Sequence, residues 1–184
     1  VAEVHASVEQ LIKDGNIPTV IYYSPIRRTR ETAEIIKKAV EAHTKKDVVF
    51  LSDARLREQN FGEIDGHPRA ELEPYRKTQY DTLFMKVPGG ESIEDIRLRV
   101  GEFLYDIDGI HKDENILIVT HEGVAYSAQN VAWGDSKRVL EQKAYDPATH
   151  LPTAQYRLLN FANIPHDAEY HLDFHRPYVD EITF

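Results

Sequence analysis

The sequence predicts an α/β fold, a doubly wound and mostly parallel sheet with helices on both faces. Short apolar, β-branched runs stand apart along the chain as buried strands. Amphipathic stretches of helical period fill the intervals, and turn chemistry marks the joints. Strand, helix, strand, long helix, strand, helix is the order that winds a parallel sheet, and in such sheets ligands lie outside the carboxyl ends of the strands.

Each element has its own signature. Val1, Val4, Val8, Leu11 and Ile12 recur at helical spacing, and Gly15 stands where a C-terminal cap belongs. A chain whose first residue already lies inside an amphipathic helix reads as a piece of something longer. IPTVIYY, ending at Tyr23, is a buried strand. In SPIRRTRETAEIIKKAVEAHTKK, Thr29 is the expected N-cap and Ala33, Ile36, Ala39 and Val40 form the apolar stripe. VVFL, from Val48 to Leu51, is a second strand. Ser52 to Gly90 has turns at Asp65-Gly66 and Pro88-Gly89-Gly90 and little periodicity, an excursion of short helices and loops. Ser92 with Asp95 has the pattern of a capping box, and Ile93, Ile96, Val100, Phe103, Leu104 and Ile107 give one face of a helix reaching about His111. Asn115 to His121 is a third strand and Glu122 to Trp133 a further helix. Composition changes near Asp146, where DPATHLPTAQ reads as a turn-rich linker before a strand-like YRLLNF and a His- and Pro-punctuated tail. The chain therefore divides into 1–145 and a strand-rich tail, 146–184.

Composition narrows the chemistry. At 184 residues the chain is long enough to bury about 70% of its unfolded surface and needs no disulfide or structural metal. With no Cys, a disulfide framework, a Cys-ligated zinc and a cysteine nucleophile are excluded. Lys plus Arg number 22 against 31 Asp plus Glu, a net charge of −9, which repels nucleic acid and anionic lipid unless basic residues are gathered locally. Direct nucleic-acid binding is not expected. The apolar runs Thr19–Tyr23 and Ile116–Val119 are too short to span a bilayer, and no signal-peptide pattern opens the chain. The expected setting is the cytoplasm, with no membrane partner.

Four segments carry candidate chemistry. Ser24-Pro25-Ile26-Arg27-Arg28-Thr29-Arg30 gathers three arginines at a strand-to-helix turn of an acidic protein. Guanidinium forks match phosphate or carboxylate oxygens, and the helix N-terminus adds N–H donors. The competing reading pairs these arginines with Glu31 and Glu34 along the helix. His121, in Val119-Thr120-His121-Glu122-Gly123, sits where a strand end delivers an imidazole into a crevice, although a loop histidine satisfied by backbone fits the position equally. Leu56-Arg57-Glu58-Gln59-Asn60-Phe61-Gly62-Glu63 offers two carboxylates about a small turn; Glu58, if partly buried, suits a general acid, and otherwise is a surface carboxylate. Pro88-Gly89-Gly90-Glu91-Ser92 reads as a helix-entry turn.

The order of these segments, SPIRRTRETAEII, LREQNFGEIDG, PGGESIEDIRLRV and ILIVTHEGV, resembles the histidine phosphatase superfamily, of phosphoglycerate mutase-like fold. Its members carry S-P-L-x-R-A-x-Q-T-A, L-x-E-x-x-F-G-x-x-E/D-G, P-G-G-E-S and S-H-G-G in that sequence. The resemblance spans roughly 1–135 and implies roles. Arg28 matches the phosphate-binding arginine, Glu58 the acid that protonates the leaving group, and His121 the second active-site histidine, which contacts the phosphoryl group. It implies phosphoryl transfer to another histidine and then hydrolysis or onward transfer, on a phosphorylated small molecule, with no metal or other cofactor. Two departures follow. No Arg-His-Gly, the family's nucleophile motif on its first strand, occurs in the chain, and Glu122 replaces the glycine after the second histidine. The first strand is thus expected to be missing, leaving its neighbours unpaired, and the chain as given is not expected to turn over.

Within the tail, Asp173-Phe174-His175-Arg176-Pro177-Tyr178-Val179-Asp180-Glu181-Ile182 is similar to the D-L-H-R-P-Y-I/V-D-E-I stretch of isoleucyl-tRNA synthetases. That likeness implies a histidine phosphatase-like domain inserted in a synthetase, whose remaining chain would be its partner. Neither H-I-G-H nor K-M-S-K-S occurs here, so the ATP site of such an enzyme lies elsewhere. His171, Asp173 and His175 alternate on one strand face and could ligate a metal, or simply form a polar face. A degenerate, non-catalytic insertion that binds an anion or a partner remains the alternative.

Overall fold

A parallel sheet built around β1 (Val20–Tyr23) organises the computed structural model, which describes residues 2–72, 84–135, 151–159 and 161. β1 lies between β2 (Val49–Ser52) and β3 (Ile116–Val119), all parallel. Its residues are apolar on both faces, as a central strand covered on both faces requires. The fold is α/β, as the sequence predicts. Strands left unpaired by a missing neighbour were expected. Between the described strands there is no such gap, because β1 pairs directly with β2 on one side and β3 on the other.

The chain forms two compact units. The first comprises Val1–Glu58, Ile110–Glu122 and Leu151–Leu158. In it α1 (Ala2–Lys13) packs on α2 (Arg27–Thr44), and α2 covers β1 and β3. Val4 and Val8 of α1, Ala33, Ile36 and Val40 of α2, and Ile21 and Val119 of the sheet form one core, each larger side chain contributing about 1.5–3 kcal/mol by leaving water. α1 ends as its sequence predicts: Gly15 N–H donates to Ile12 O at 3.1 Å and Asn16 N–H to Leu11 O at 2.9 Å, the paired bonds of a Schellman motif.

Two expectations are corrected here. α2 starts at Arg27, with Ile26 in the capping position and no side-chain cap, so Thr29 is not the N-cap. Its hydroxyl is used inside the first turn, donating to Ser24 O at 3.0 Å and Ile26 O at 2.7 Å. The strand-like YRLLNF forms no strand over its described residues 156–159 and 161. The Tyr156 hydroxyl donates to Asp14, just past the end of α1, and Ser7 of α1 donates to Ala154 O in the preceding turn. The remainder of the tail, including His171, Asp173, His175 and the synthetase-like stretch, lies outside the described residues.

The second unit comprises the described residues of Gln59–Gly109, Gly123–His150 and Leu159–Phe184. α3 (Ile93–Ile110) buries Ile96, Val100, Phe103, Leu104 and Ile107, the predicted face, and α4 (Glu122–Trp133) buries Val124, Ala128 and Val131. The capping box at the start of α3 is reciprocal: Ser92 N–H donates to Asp95 Oδ2 at 2.8 Å, and Asp95 N–H to Ser92 Oγ at 3.1 Å. The Pro88–Ser92 turn also clasps the loop after Glu58. Glu91 N–H donates to Asn60 O at 2.8 Å, Asn60 N–H to Glu91 Oε2 at 3.0 Å, and Arg99 Nε to Glu91 Oε1 at 3.0 Å. Among the described residues no helix is long and apolar enough to cross a membrane.

Candidate functional site

Parallel register builds the site. Tyr23 stands opposite both Ser52 and Val119, so the three strands end level. The ladder continues one step beyond them. Ser24 N–H donates to Val119 O at 3.0 Å and Asp53 N–H to Tyr23 O at 3.1 Å. Residues just past the strand ends are therefore neighbours in space, as the rule for open parallel sheets requires.

All three residues singled out from sequence belong to the first unit, and they meet. Arg28 is the second residue of α2. Its Nη2 lies 2.9 Å from His121 Nδ1 and 3.2 Å from Glu58 Oε2, and that oxygen is 3.4 Å from His121 Nδ1. His121 is buried, Glu58 has 34% of its side chain exposed, and Arg28 has 63%. The cluster thus grades from a fixed imidazole to a guanidinium open to solvent. At such exposure the Arg28–Glu58 pair contributes no more than about 1 kcal/mol, so a more highly charged anion can take the guanidinium from it.

The loop leading to Glu58 is held from two sides. Asp53 caps a 3-10 turn, Ala54–Leu56, accepting from Arg55 N–H at 2.8 Å, and Thr120 Oγ1 donates to Leu56 O at 2.8 Å. Burial pushes the Asp53 carboxyl up, but hydrogen bonds from the Arg55 side chain and backbone more than offset it and hold the carboxyl below its ordinary value. The other arginines follow the bland reading. Arg27 pairs with Glu31 at 2.7 Å and Arg30 with Glu34 at 3.7 Å, along the exposed helix. Glu122 is exposed in the first turn of α4, where a carboxylate complements the helix dipole.

Sequence reasoning gave Ser24 no role. The structure buries it completely, with Oγ 2.9 Å from His121 Nε2. The available signal was positional: a hydroxyl residue directly follows one strand of a parallel sheet, and a histidine lies just past the end of another.

Comparison with known proteins gives the family. Residues 3–149 match the histidine phosphatase superfamily (branch 1), and the chain belongs to that family. It is 34% identical over 113 residues to "Putative phosphoserine phosphatase 2" of Hydrogenobacter thermophilus, covering 59% of this chain and 52% of that protein. It is 32% identical over 137 residues to "Phosphoglycerate mutase-like protein 4" of Arabidopsis thaliana, covering 71% of this chain and 57% of that one. The chain spans about half the length of the curated relatives it matches. Among solved structures, Bacillus stearothermophilus YhfR shares the fold, with a TM-score of 0.63 at 20% identity over 89% of this chain and 82% of that one.

Proposed function

We propose that the chain carries the phosphate-binding and proton-donating groups of a phosphoryl-transfer site, which hydrolyses or transfers a phosphoryl group of a small phosphorylated molecule through a phosphohistidine. In this reading Arg28 binds phosphate oxygens, Glu58 protonates the leaving oxygen, and His121 contacts the group in transfer. The observation that carries it is the meeting of Arg28 Nη2, Glu58 Oε2 and His121 Nδ1 within 3.4 Å of one another. A guanidinium and an imidazole stabilise charge on equatorial oxygens, and a carboxyl supplies the proton. The phosphoserine phosphatase and mutase-like names of its relatives support a small phosphate ester as substrate.

The attacking histidine of this mechanism belongs to an Arg-His-Gly segment, which the 184 residues do not hold. We assign it to a residue outside them, and the 184 residues alone are then inert. The test compares this chain with one extended upstream to an Arg-His-Gly segment, reading phosphate release from generic esters and acid-labile phosphohistidine. Release from the extended chain alone is expected; an extended chain with neither signal overturns the reading. A second reading, a degenerate insertion that binds an anion or a partner without catalysis, is favoured by Glu122 in place of glycine. It requires that substituting Arg28 or His121 leave the parent protein's aminoacylation unchanged and that the upstream-extended chain release no phosphate.

We further propose that 1–145 is inserted in an isoleucyl-tRNA synthetase, with 146–184 returning to it, which sets the domain in the cytoplasm. The stretch 173–182 supports this, as does a family match that stops at residue 149. Failure of the full-length protein to charge isoleucine tRNA overturns it.

A further inference from the structure

We propose that Ser24 is a positioning residue: it fixes the His121 imidazole so that Nδ1 faces the anion and the ring proton stays on Nε2. What the ring meets rests on the phosphoryl-transfer reading; how the ring is held does not. Ser24 is 0% exposed and His121 6%. Ser24 Oγ lies 2.9 Å from Nε2, and Arg28 Nη2 lies 2.9 Å from Nδ1. Two groups compete for Nδ1: Glu58 Oε2 at 3.4 Å, which would accept a proton from it, and the guanidinium at 2.9 Å, which has donors only. The nearer guanidinium prevails, and Nδ1 offers it a lone pair. A neutral imidazole carries one ring proton, which then sits on Nε2 and is donated to Ser24 Oγ.

Ser24 can impose this because it is itself held on every side. Its N–H donates to Val119 O at 3.0 Å, its carbonyl accepts from Thr29 Oγ1 at 3.0 Å, and its Oγ accepts from Ile26 N–H at 3.4 Å. An acceptor tied to β3 and to the start of α2 sets both the ring plane and the tautomer, as the outer partners of metal-bound histidines do. Nδ1 is consequently the atom turned toward Arg28 and Glu58. Its lone pair accepts from Arg28 in the resting site, and it takes up a proton to donate when a phosphoryl oxygen arrives, since a bare lone pair would repel that oxygen. Without the hydroxyl, Nε2 loses its partner in a buried position, and the ring is free to exchange tautomers or turn over.

The test is nitrogen NMR of the full-length protein labelled at histidine, with inorganic phosphate as the probe ligand. In the unsubstituted protein, above the imidazole titration, Nε2 of His121 is expected to be protonated and Nδ1 bare. Ser24→Ala is expected to mix the two tautomers, to shift the ring's titration and to weaken phosphate binding about fivefold, the equivalent of one net hydrogen bond. Ser24→Cys, which keeps a weak acceptor, should restore part of each. A proton on Nδ1 in the unsubstituted protein overturns the proposal, and this readout does not depend on whether a variant folds. A Ser24→Ala ring with unchanged tautomer and titration overturns it as well. If the unsubstituted protein binds no phosphate, the phosphoryl-transfer reading fails, while the nitrogen signals still decide the role of Ser24.

Discussion

Replacing Gly62 by alanine puts a methyl group between two loops of the second unit that touch through their backbones. The new Cβ would stand 2.1 Å from Pro88 O, 2.6 Å from Gly90 N and 2.9 Å from Gly89 C. These are main-chain atoms, so no rotamer change relieves the overlap. Gly62 also has φ +56, a left-handed conformation that costs an L-residue about 1–2 kcal/mol. Separating the loops would break the bonds from Glu63 N–H to Pro88 O, at 3.2 Å, and from Glu91 N–H to Asn60 O, at 2.8 Å. Each is worth about 1 kcal/mol net, and Gly62→Ala is expected to cost about 3–4 kcal/mol in all. Gly66 is the control, with φ +82 and nothing within 4 Å of where its Cβ would stand, so Gly66→Ala should cost only the conformational part, about 1–2 kcal/mol. Urea unfolding of both variants beside the unsubstituted protein measures the difference. Equal losses at the two positions would refute the reasoning, since the contact with Pro88–Gly90 would then contribute nothing.

Other expectations concern the site. Arg28→Ala should weaken inorganic phosphate binding by about 10- to 100-fold, the loss of charge-assisted hydrogen bonds, whereas Arg27→Ala, which removes an exposed helix pair, should change it less than about twofold; calorimetry separates the two. Glu58→Gln should lower kcat by about 10²–10⁴ on esters with poor leaving groups in the upstream-extended protein, and much less on nitrophenyl esters, whose leaving group needs no proton. Asp53 is held below the ordinary aspartate value against the upward push of burial. Its folded value is then below its unfolded one, so its stabilisation is present above the ordinary aspartate range and is lost as pH falls through the lowered value. Asp53→Asn should flatten that acid-side decline, which urea midpoints measured below the ordinary aspartate range will show.

Elements whose signals are local were legible in the sequence. The Gly15 cap, the Ser92–Asp95 box and the apolar face of α3 depend on residues a few positions apart, and each stands where the pattern put it. The start of α2 was not legible. A hydroxyl at Thr29 satisfies the capping rule on paper, but Ser24 O and Ile26 O take that hydroxyl, and nothing in the spacing of residues announces this. Charge pattern alone could not separate Arg28 from Arg27 and Arg30 either. Motif order picked Arg28, and its position on the helix explains the result: Arg27 and Arg30 run along the exposed face to Glu31 and Glu34, while Arg28 turns to the strand ends. Ser24 was out of reach because its bond to His121 spans 97 positions and depends on the register of β1 against β3. The buried Arg97 was equally hidden, since a sequence pattern reads arginine as surface, whereas here Glu94 and the Asp135 carbonyl accept from it.

Charge balance at the strand ends carries a last consequence. Arg28 Nη2 lies within hydrogen-bond distance of both Glu58 Oε2 and His121 Nδ1, so one cation is shared between a carboxylate and a ring. A dianion entering the cluster draws the guanidinium to itself, because the exposed pair it replaces is worth at most about 1 kcal/mol. Glu58 then faces the dianion without that shield. At 4 Å each pair of like unit charges costs roughly 1 kcal/mol in water and roughly 4 kcal/mol at a surface-like permittivity, and the exposure of Glu58 places it toward the lower figure. Uptake of a proton by Glu58 or by His121 Nδ1 removes the repulsion, and uptake by Glu58 also creates the acid that the leaving oxygen needs. Sulfate tests this cleanly, since it takes no proton itself near neutral pH. Its binding heat should vary with the ionisation enthalpy of the buffer in the sense of proton uptake, and Glu58→Gln should reduce the variation. A heat independent of buffer would mean that the site accepts a dianion beside an ionised carboxylate, and Glu58 would then have no proton to give.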